Sequence, residues 1–241
     1  MKSIKLSLVA ALLATTGVVS SVSASELEVS ANVALTSNYV WRGMSQTGSS
    51  PAVQGGVDLG YKGAYLGVWG SALQGSTDAA PDGEASSEFD IYAGYAGEFS
   101  GISYDVGYIK YMYPNNTDAL NFSEAYLSLG YDFGVASISG MYYKGLQADA
   151  GGSDHFGDGY EFGVSIPLPM DVTLDGTYGE YDNAGDDVGG ANLNAYGDYY
   201  SVSLTKTFGK FDVTLAQTGM DYEVAGTEDV DYTVLTVGTS F

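Results

Sequence analysis

From Leu27 to Gly43 apolar and polar side chains alternate. Leu27, Val29, Ala31, Val33, Leu35, Ser37, Tyr39 and Trp41 fall on one face, and Glu28, Ser30, Asn32, Ala34, Thr36, Asn38 and Arg42 on the other. A period of two predicts a β-strand with a different environment on each side. The apolar face runs from small aliphatics to a Tyr and a Trp, the order expected of a strand that crosses lipid and then meets a headgroup layer. About 9 to 11 tilted residues cross a bilayer as a strand, so this stretch is expected to span and project beyond the surface.

The same alternation recurs to the end of the chain. Further strands are expected over 52–61, 64–72, 88–96, 102–113, 122–131, 135–143, 160–166, 171–181, 198–207, 211–218 and 230–241. Short turns at Lys62-Gly63, Glu98–Gly101, Asp132-Phe133-Gly134, Pro167–Pro169 and Phe208-Gly209-Lys210 alternate with long Gly/Ser/Asp-rich connections. The pattern predicts an all-β, transmembrane, antiparallel up-and-down β-barrel of about 12 strands, with both termini on the short-turn side. Fixing strand direction sorts the apolar-face aromatics by height: Tyr39, Trp41, Phe89, Tyr142, Tyr160, Tyr178, Tyr200 and Tyr232 at the long-loop end, and Tyr61, Tyr95, Tyr104, Tyr131, Phe211 and Phe241 at the turn end. Two belts separated by small aliphatics are what a membrane slab predicts. Lys110 and Lys206 interrupt the apolar face near strand ends, where a long side chain can snorkel. Phe241, with Leu235 and Val237 on its face, suits recognition by the outer-membrane assembly machinery.

Composition narrows the compartment. Lys2 and Lys5 precede an apolar run from Leu6 to Val19, and Val22-Ser23-Ala24 offers small residues before a cleavage point. Residues 1–24 therefore read as a secretory signal peptide rather than an uncleaved anchor, and 25–241 as one barrel domain in the outer membrane of a Gram-negative cell. Elsewhere no apolar run is long enough for a spanning helix. Residues 25–241 hold all 30 acidic residues and 6 of the 8 basic ones, a net charge of −24. This excludes nucleic acid as a partner and argues against anionic lipid surfaces. The 34 Gly and 21 Tyr suit close-packed strands with aromatic ends better than a soluble Leu-rich core. The chain has no Cys, which the periplasm permits.

The blocks Ser37-Asn38-Tyr39-Val40-Trp41-Arg42-Gly43-Met44-Ser45-Gln46-Thr47, Pro51-Ala52-Val53-Gln54-Gly55-Gly56 and Gly67-Val68-Trp69-Gly70-Ser71 resemble the TorF-like porin family. Glu88-Phe89-Asp90-Ile91-Tyr92-Ala93-Gly94-Tyr95 and Tyr111-Met112-Tyr113-Pro114 are similar to its later blocks. The resemblance spans essentially all of 25–241. It implies an outer-membrane barrel with a pore, and supplies neither a substrate nor catalytic residues.

Twelve strands tilted about 40° close into a cylinder of roughly 12 Å radius, wide enough for an aqueous channel. Its lining would come from the polar face, where acids sort into two tiers. Glu88, Asp90, Glu124, Glu161 and Asp198 lie toward the long loops, Glu28, Asp58, Asp105, Asp171 and Asp212 toward the turns, and Asp175 between. Carboxylate rings favour cations; the competing expectation is that some accept hydrogen bonds from Tyr hydroxyls and close the lumen. Arg42, the only Arg, is expected level with Glu88 and Glu124, either pinning the upper tier or folding the first loop inward. Catalysis has thin support, because the single His155, beside Asp154, has no matching nucleophile motif. The acidic loops (Asp78, Asp82, Glu84; Asp182, Asp186, Asp187; Asp221, Glu223, Glu228, Asp229) fit no EF-hand spacing, so solvation is expected over Ca²⁺. The expected function is non-enzymatic, cofactor-free passage of small hydrophilic solutes, cations preferred, by a barrel set in outer-membrane lipid and able to associate. The alternative is a closed structural or adhesive barrel that binds through its loops; a soluble lipocalin-like binder would share the alternation.

Overall fold

The computed structural model describes residues 27–74, 85–114, 121–146, 157–182, 196–223 and 227–241. The expected signal peptide, His155 and the acidic loop residues Asp78, Asp82, Glu84, Asp186 and Asp187 lie outside them. The expected barrel is present: β1 (Glu28–Thr36), β4 (Ala52–Tyr61), β5 (Ala64–Ala72), β6 (Ser87–Phe99), β7 (Ile102–Met112), β8 (Phe122–Asp132), β9 (Ser137–Gly145), β10 (Asp158–Leu168), β11 (Val172–Asp182), β12 (Tyr196–Phe208), β13 (Phe211–Tyr222) and β14 (Val230–Ser240) pair with their sequence neighbours and close on themselves. All pairs are antiparallel. The closing seam pairs Asn32–Thr36 with Thr236–Ser240, and Phe241 completes it, its N–H donating to Ala31 O at 2.9 Å while Ala31 N–H donates to Phe241 O at 3.3 Å.

Two tight hairpins follow from local chemistry. Lys62 and Gly63 (φ 50° and 89°) join β4 to β5, and Ser100 and Gly101 (φ 53° and 81°) join β6 to β7. Left-handed backbone at both central positions matches the right-handed twist of the strands.

The alternation turns the usual protein inside out. Leu35, Val53, Leu66, Leu127, Val202, Leu204 and Leu215 are each about half exposed on the outside, where lipid rather than water is their solvent. Tyr61, Tyr95, Tyr131, Phe211 and Phe241 form the outer girdle at the turn end, and Phe89, Tyr142, Tyr160, Tyr178 and Tyr200 the girdle at the long-loop end. The latter girdle is polar at its rim: Tyr178 donates to Asp198 at 2.6 Å and Tyr160 to Glu180 at 3.0 Å. Tyr232 departs from the expected belt, pairing with Thr218 on the inner face.

The inner face is unevenly filled. Along β7, β8, β9 and β11, Ile109, Tyr111, Phe122, Tyr126, Met141, Tyr143 and Tyr181 form a buried aromatic cluster. Glycine makes this density possible: a Cβ at Gly107 would stand 2.5 Å from the ring of Tyr126, and one at Gly179 2.4 Å from that of Tyr199. The Gly- and Tyr-rich composition thus reflects rings laid flat over bare backbone.

The first strand also departs from expectation. The alternation through Tyr39 and Trp41 predicts a strand running on to Gly43, but β1 stops at Thr36 and residues 37–49 turn into the lumen. There β2 (Val40–Trp41) and β3 (Met44–Ser45) form a separate two-stranded hairpin. Tyr39 and Trp41 are therefore lumenal, not part of the outer belt.

Candidate channel constriction

Ser37 caps the end of β1: its N–H donates to Leu235 O and its Oγ accepts from Leu235 N–H, both at 2.9 Å. Beyond it side chains within the segment take up several of its polar groups, which lets it leave the sheet, while Asn38 Nδ2 and Trp41 Nε1 are buried without a hydrogen-bond partner. Asn38 is the hub. Its Oδ1 accepts from Ser45 Oγ at 2.7 Å and Thr47 Oγ1 at 2.9 Å, and its carbonyl accepts from Thr36 Oγ1 at 2.9 Å. Tyr39 N–H donates to Thr47 Oγ1 at 3.0 Å, and Gln46 N–H to Tyr39 O at 2.7 Å. Arg42 and Gly43, at φ 47° and 77°, make the tight turn that pairs Trp41 with Met44. The product is a compact plug inside the barrel.

Arg42 ties the plug to β8. Its Nη1 donates to Glu124 Oε1 at 2.6 Å and Nη2 to Oε2 at 2.8 Å, a bidentate pair with the Glu124 side chain fully buried. Tyr111 OH also donates to Glu124 Oε2, at 3.1 Å. The guanidinium lies 3.6 Å from the ring centroid of Tyr143 and 4.2 Å from that of Trp41. Trp41 in turn meets Tyr111, Phe122 and Tyr181 edge-on. Burial pulls the Arg42 pKa down, but the carboxylate of Glu124 more than offsets it, so the group is held above its ordinary value and stays charged. Tyr39 OH donates to Glu88 at 3.2 Å; burial first, then the negative charge of Glu88 and Asp90, pushes its phenol well above the ordinary range, so it remains a donor. At the turn Gly43 rests on β13, where a Cβ would lie 2.3 Å from Gly219 O. The plug therefore reaches from the β8 wall to the β13 wall.

The expected lining residues divide into groups. Glu88, Asp90, Glu124 and Glu161 are buried on the inner face toward the long loops, and Asp105 is buried on it toward the turns. Asp58, Asp175 and Asp212 are half-buried on the same face. Tyrosines claim several of these acids, as the competing expectation held: Tyr92 donates to Asp58 at 2.5 Å, Tyr65 to Asp105 at 2.7 Å, and Tyr199 to Glu161 at 3.0 Å. Asp90 differs, since both carboxylate oxygens are buried without a hydrogen-bond partner.

Two expected residues are placed elsewhere. Asp198 shares parity with Tyr200 and pairs with Glu180, so it faces outward at the rim, where Tyr178 reaches it. Asp171 sits exposed in the β10–β11 turn with φ 56°, ahead of the first residue of β11. The strand alternation ends at that turn, so it cannot place Asp171 on the wall.

Below and beside the plug lies a cavity of about 600 Å³. Arg42, Trp41, Tyr199 and Glu161 border it above, Ser and Thr from β9 to β14 line its side, and Asp175 and Asp212 face it lower down. It reaches the turn end at Gly101 and Asp132. The hydroxyl wall was missed by the sequence reading, and the plug was anticipated only as the alternative in which Arg42 folds the first loop inward, against a strand expected to run on to Gly43. The polar pair Ser37-Asn38 and the turn pair Arg42-Gly43 were the available signals for the plug.

Residues 20–238 match the model of a family described as "Bacterial protein of unknown function (Gcw_chp)". No curated protein matches the chain. Among solved structures the chain is similar to the NanC porin, at 12% identity and TM-score 0.57 over 89% of this chain and 99% of that one. It is equally similar to the KdgM porin in complex with disordered oligogalacturonate, at 12% identity and TM-score 0.57 over 88% and 97%. An outer membrane channel from Pseudomonas putida F1 follows at 12% identity and TM-score 0.51 over 88% and 95%. At such identities the likeness is one of fold: this is the barrel architecture of outer-membrane porins.

Proposed function

Because the chain belongs to the Gcw_chp family, whose function is unknown, its function has to be read from its own geometry, and we propose an outer-membrane channel for passive diffusion of small hydrophilic solutes that prefers cations. The likeness of the plug sequence to TorF-like porins agrees with this reading. The observation that carries it is the charge balance of the lumen. Lys62 and Lys210 sit in turns, Lys110, Lys144 and Lys206 lie on outward-facing strand positions, and Arg42 is the single cation within the barrel among the described residues. Its charge is matched by Glu124, which leaves Glu161, Asp175 and Asp212 facing the cavity unopposed. Fixed negative charge along a narrow aqueous path concentrates cations and repels anions.

The test is reversal potential in a planar bilayer under a salt gradient. A cation-selective sign is expected at low salt, fading as the screening length falls from about 10 Å at 0.1 M to about 3 Å at 1 M. An anion-selective sign at low salt refutes the preference. A second reading, a closed structural or adhesive barrel, draws on the plug's contact with both β8 and β13; absence of conductance by folded protein would favour it. In either reading the outer girdles suit outer-membrane lipid, delivery runs through the barrel assembly machinery, and association of barrels is compatible with the exposed walls.

A further inference from the structure

The lumen is chemically two-sided. The plug crosses the upper lumen from β8 to β13 and the aromatic cluster packs beside it, mainly along β7 to β9, while below them the cavity runs along the wall built by β9 to β14. That wall is a field of hydroxyls, including Ser139, Thr177, Ser201, Ser203, Thr205 and Thr214. Register accounts for the density, because Thr177 pairs with Ser201 and Thr205 with Thr214, so successive strands place hydroxyls side by side. The Thr205 and Thr214 oxygens lie 2.9 Å apart. At the upper end the rings of Trp41 and Tyr199 border the same space.

We infer that among organic solutes this eccentric conduit selects uncharged, polyhydroxylated ones of about disaccharide size, the preference for cations applying among the small ions it also passes. This inference rests on the channel reading above and names its substrate class. A hydroxyl both donates and accepts, so a sugar that sheds water at this wall can replace each lost bond whichever way its own hydroxyl points. An ordinary ion gains less from such a surface. An acidic sugar finds no unpaired cation on this wall: Arg42, which borders it, is held by Glu124, and Glu161, Asp175 and Asp212 repel a carboxylate. A cavity of about 600 Å³ lies within the range of ordinary small-molecule sites.

The test uses the full barrel refolded into liposomes, with swelling in isosmotic sucrose compared with digalacturonate, and KCl conductance measured in parallel in planar bilayers. Sucrose is expected to enter well above the protein-free rate and about tenfold faster than digalacturonate, the factor that about 1.4 kcal/mol of repulsion supplies. The variant Ser203→Ala/Thr205→Val/Thr214→Val keeps side-chain volume and removes three hydroxyls. It is expected to slow sucrose about fivefold, the equivalent of one net hydrogen bond, with KCl conductance nearly unchanged. Ser203→Ala alone leaves the Thr205–Thr214 bond in place and serves if the triple variant fails to fold; a smaller, sucrose-specific slowing is expected. Conductance without sucrose entry, digalacturonate entering as fast as sucrose, or variants that slow sucrose and KCl alike overturn the inference while the channel reading stands. Absence of KCl conductance from folded protein overturns the channel reading and this inference with it.

Discussion

Replacing Arg42 by Ala removes both the positive charge inside the barrel and the tie between plug and wall. The pair it breaks is bidentate, at 2.6 and 2.8 Å, and both side chains are buried. Taking one partner from a buried ion pair costs about 3–5 kcal/mol, because the other charge is left without compensation. Losing the guanidinium from the faces of Tyr143 and Trp41 adds about 0.5–2 kcal/mol for each contact. The Asn38 hub does not involve Arg42, and neither does the strand ladder. The cost therefore falls on seating the plug, not on folding the barrel, and even its low end shifts the seated-to-unseated ratio by about a hundredfold. Arg42→Ala should fold with normal heat-modifiability, show larger or more variable single-channel conductance, and give a reversal potential displaced further toward cation selectivity. Arg42→Lys keeps the charge but not the fork or the stacking, so it should hold the reversal potential near that of the unaltered protein while still changing conductance. A folded Arg42→Ala barrel with unchanged conductance and unchanged reversal potential would show that the plug does not depend on this pair and that the constriction lies elsewhere.

Deleting Phe241 removes the last two backbone hydrogen bonds of the closing seam, those with Ala31 at 2.9 and 3.3 Å; since that seam is the shortest in the barrel, less folded protein should accumulate in the outer membrane, and equal amounts would contradict this. Asp90→Asn replaces a buried carboxylate whose oxygens have no hydrogen-bond partner, beside Glu88 and Glu124, with a neutral group of the same shape. It should raise the denaturant unfolding free energy by about 1 kcal/mol or more, and an unchanged or lowered midpoint would show that the charge is compensated.

The barrel was legible because a period of two is a direct image of a wall between lipid and lumen. A one-residue slip moves a whole strand to the other face, so Val53, Leu66, Leu127 and Leu215 fix their strands with little ambiguity. Asp198 shows where that logic weakens: Tyr199 and Tyr200 are adjacent aromatics, one lumenal and one outward, and a Tyr suits either side of this barrel. Parity counted from Val202 and Leu204 puts Asp198 outside. The plug was legible only as one of two roles for Arg42, and the strand pattern concealed it for a deeper reason. Alternation reports burial on one side, and a hairpin folded against an aromatic lumen buries Tyr39 and Trp41 as well as lipid would. What separates the two cases is where the backbone hydrogen bonds go: Tyr39 N–H donates to Thr47 Oγ1, Ser49 N–H to Ser45 Oγ and Gln46 N–H to Tyr39 O, all within the plug.

The position of Arg42 follows from the same economy. A lone cation on a strand of the inner wall could meet carboxylates only along its own height, whereas at the tip of an inserted hairpin it crosses toward β8 while Gly43 behind it touches β13. A side chain larger than Gly at position 43 would push the tip off β13, and a shorter cation at 42 could not present two parallel N–H groups to Glu124. Adjacent residues thus set the width of the path from opposite walls. That makes Arg42-Gly43, and not the more numerous acids, the pair on which the size of the opening turns.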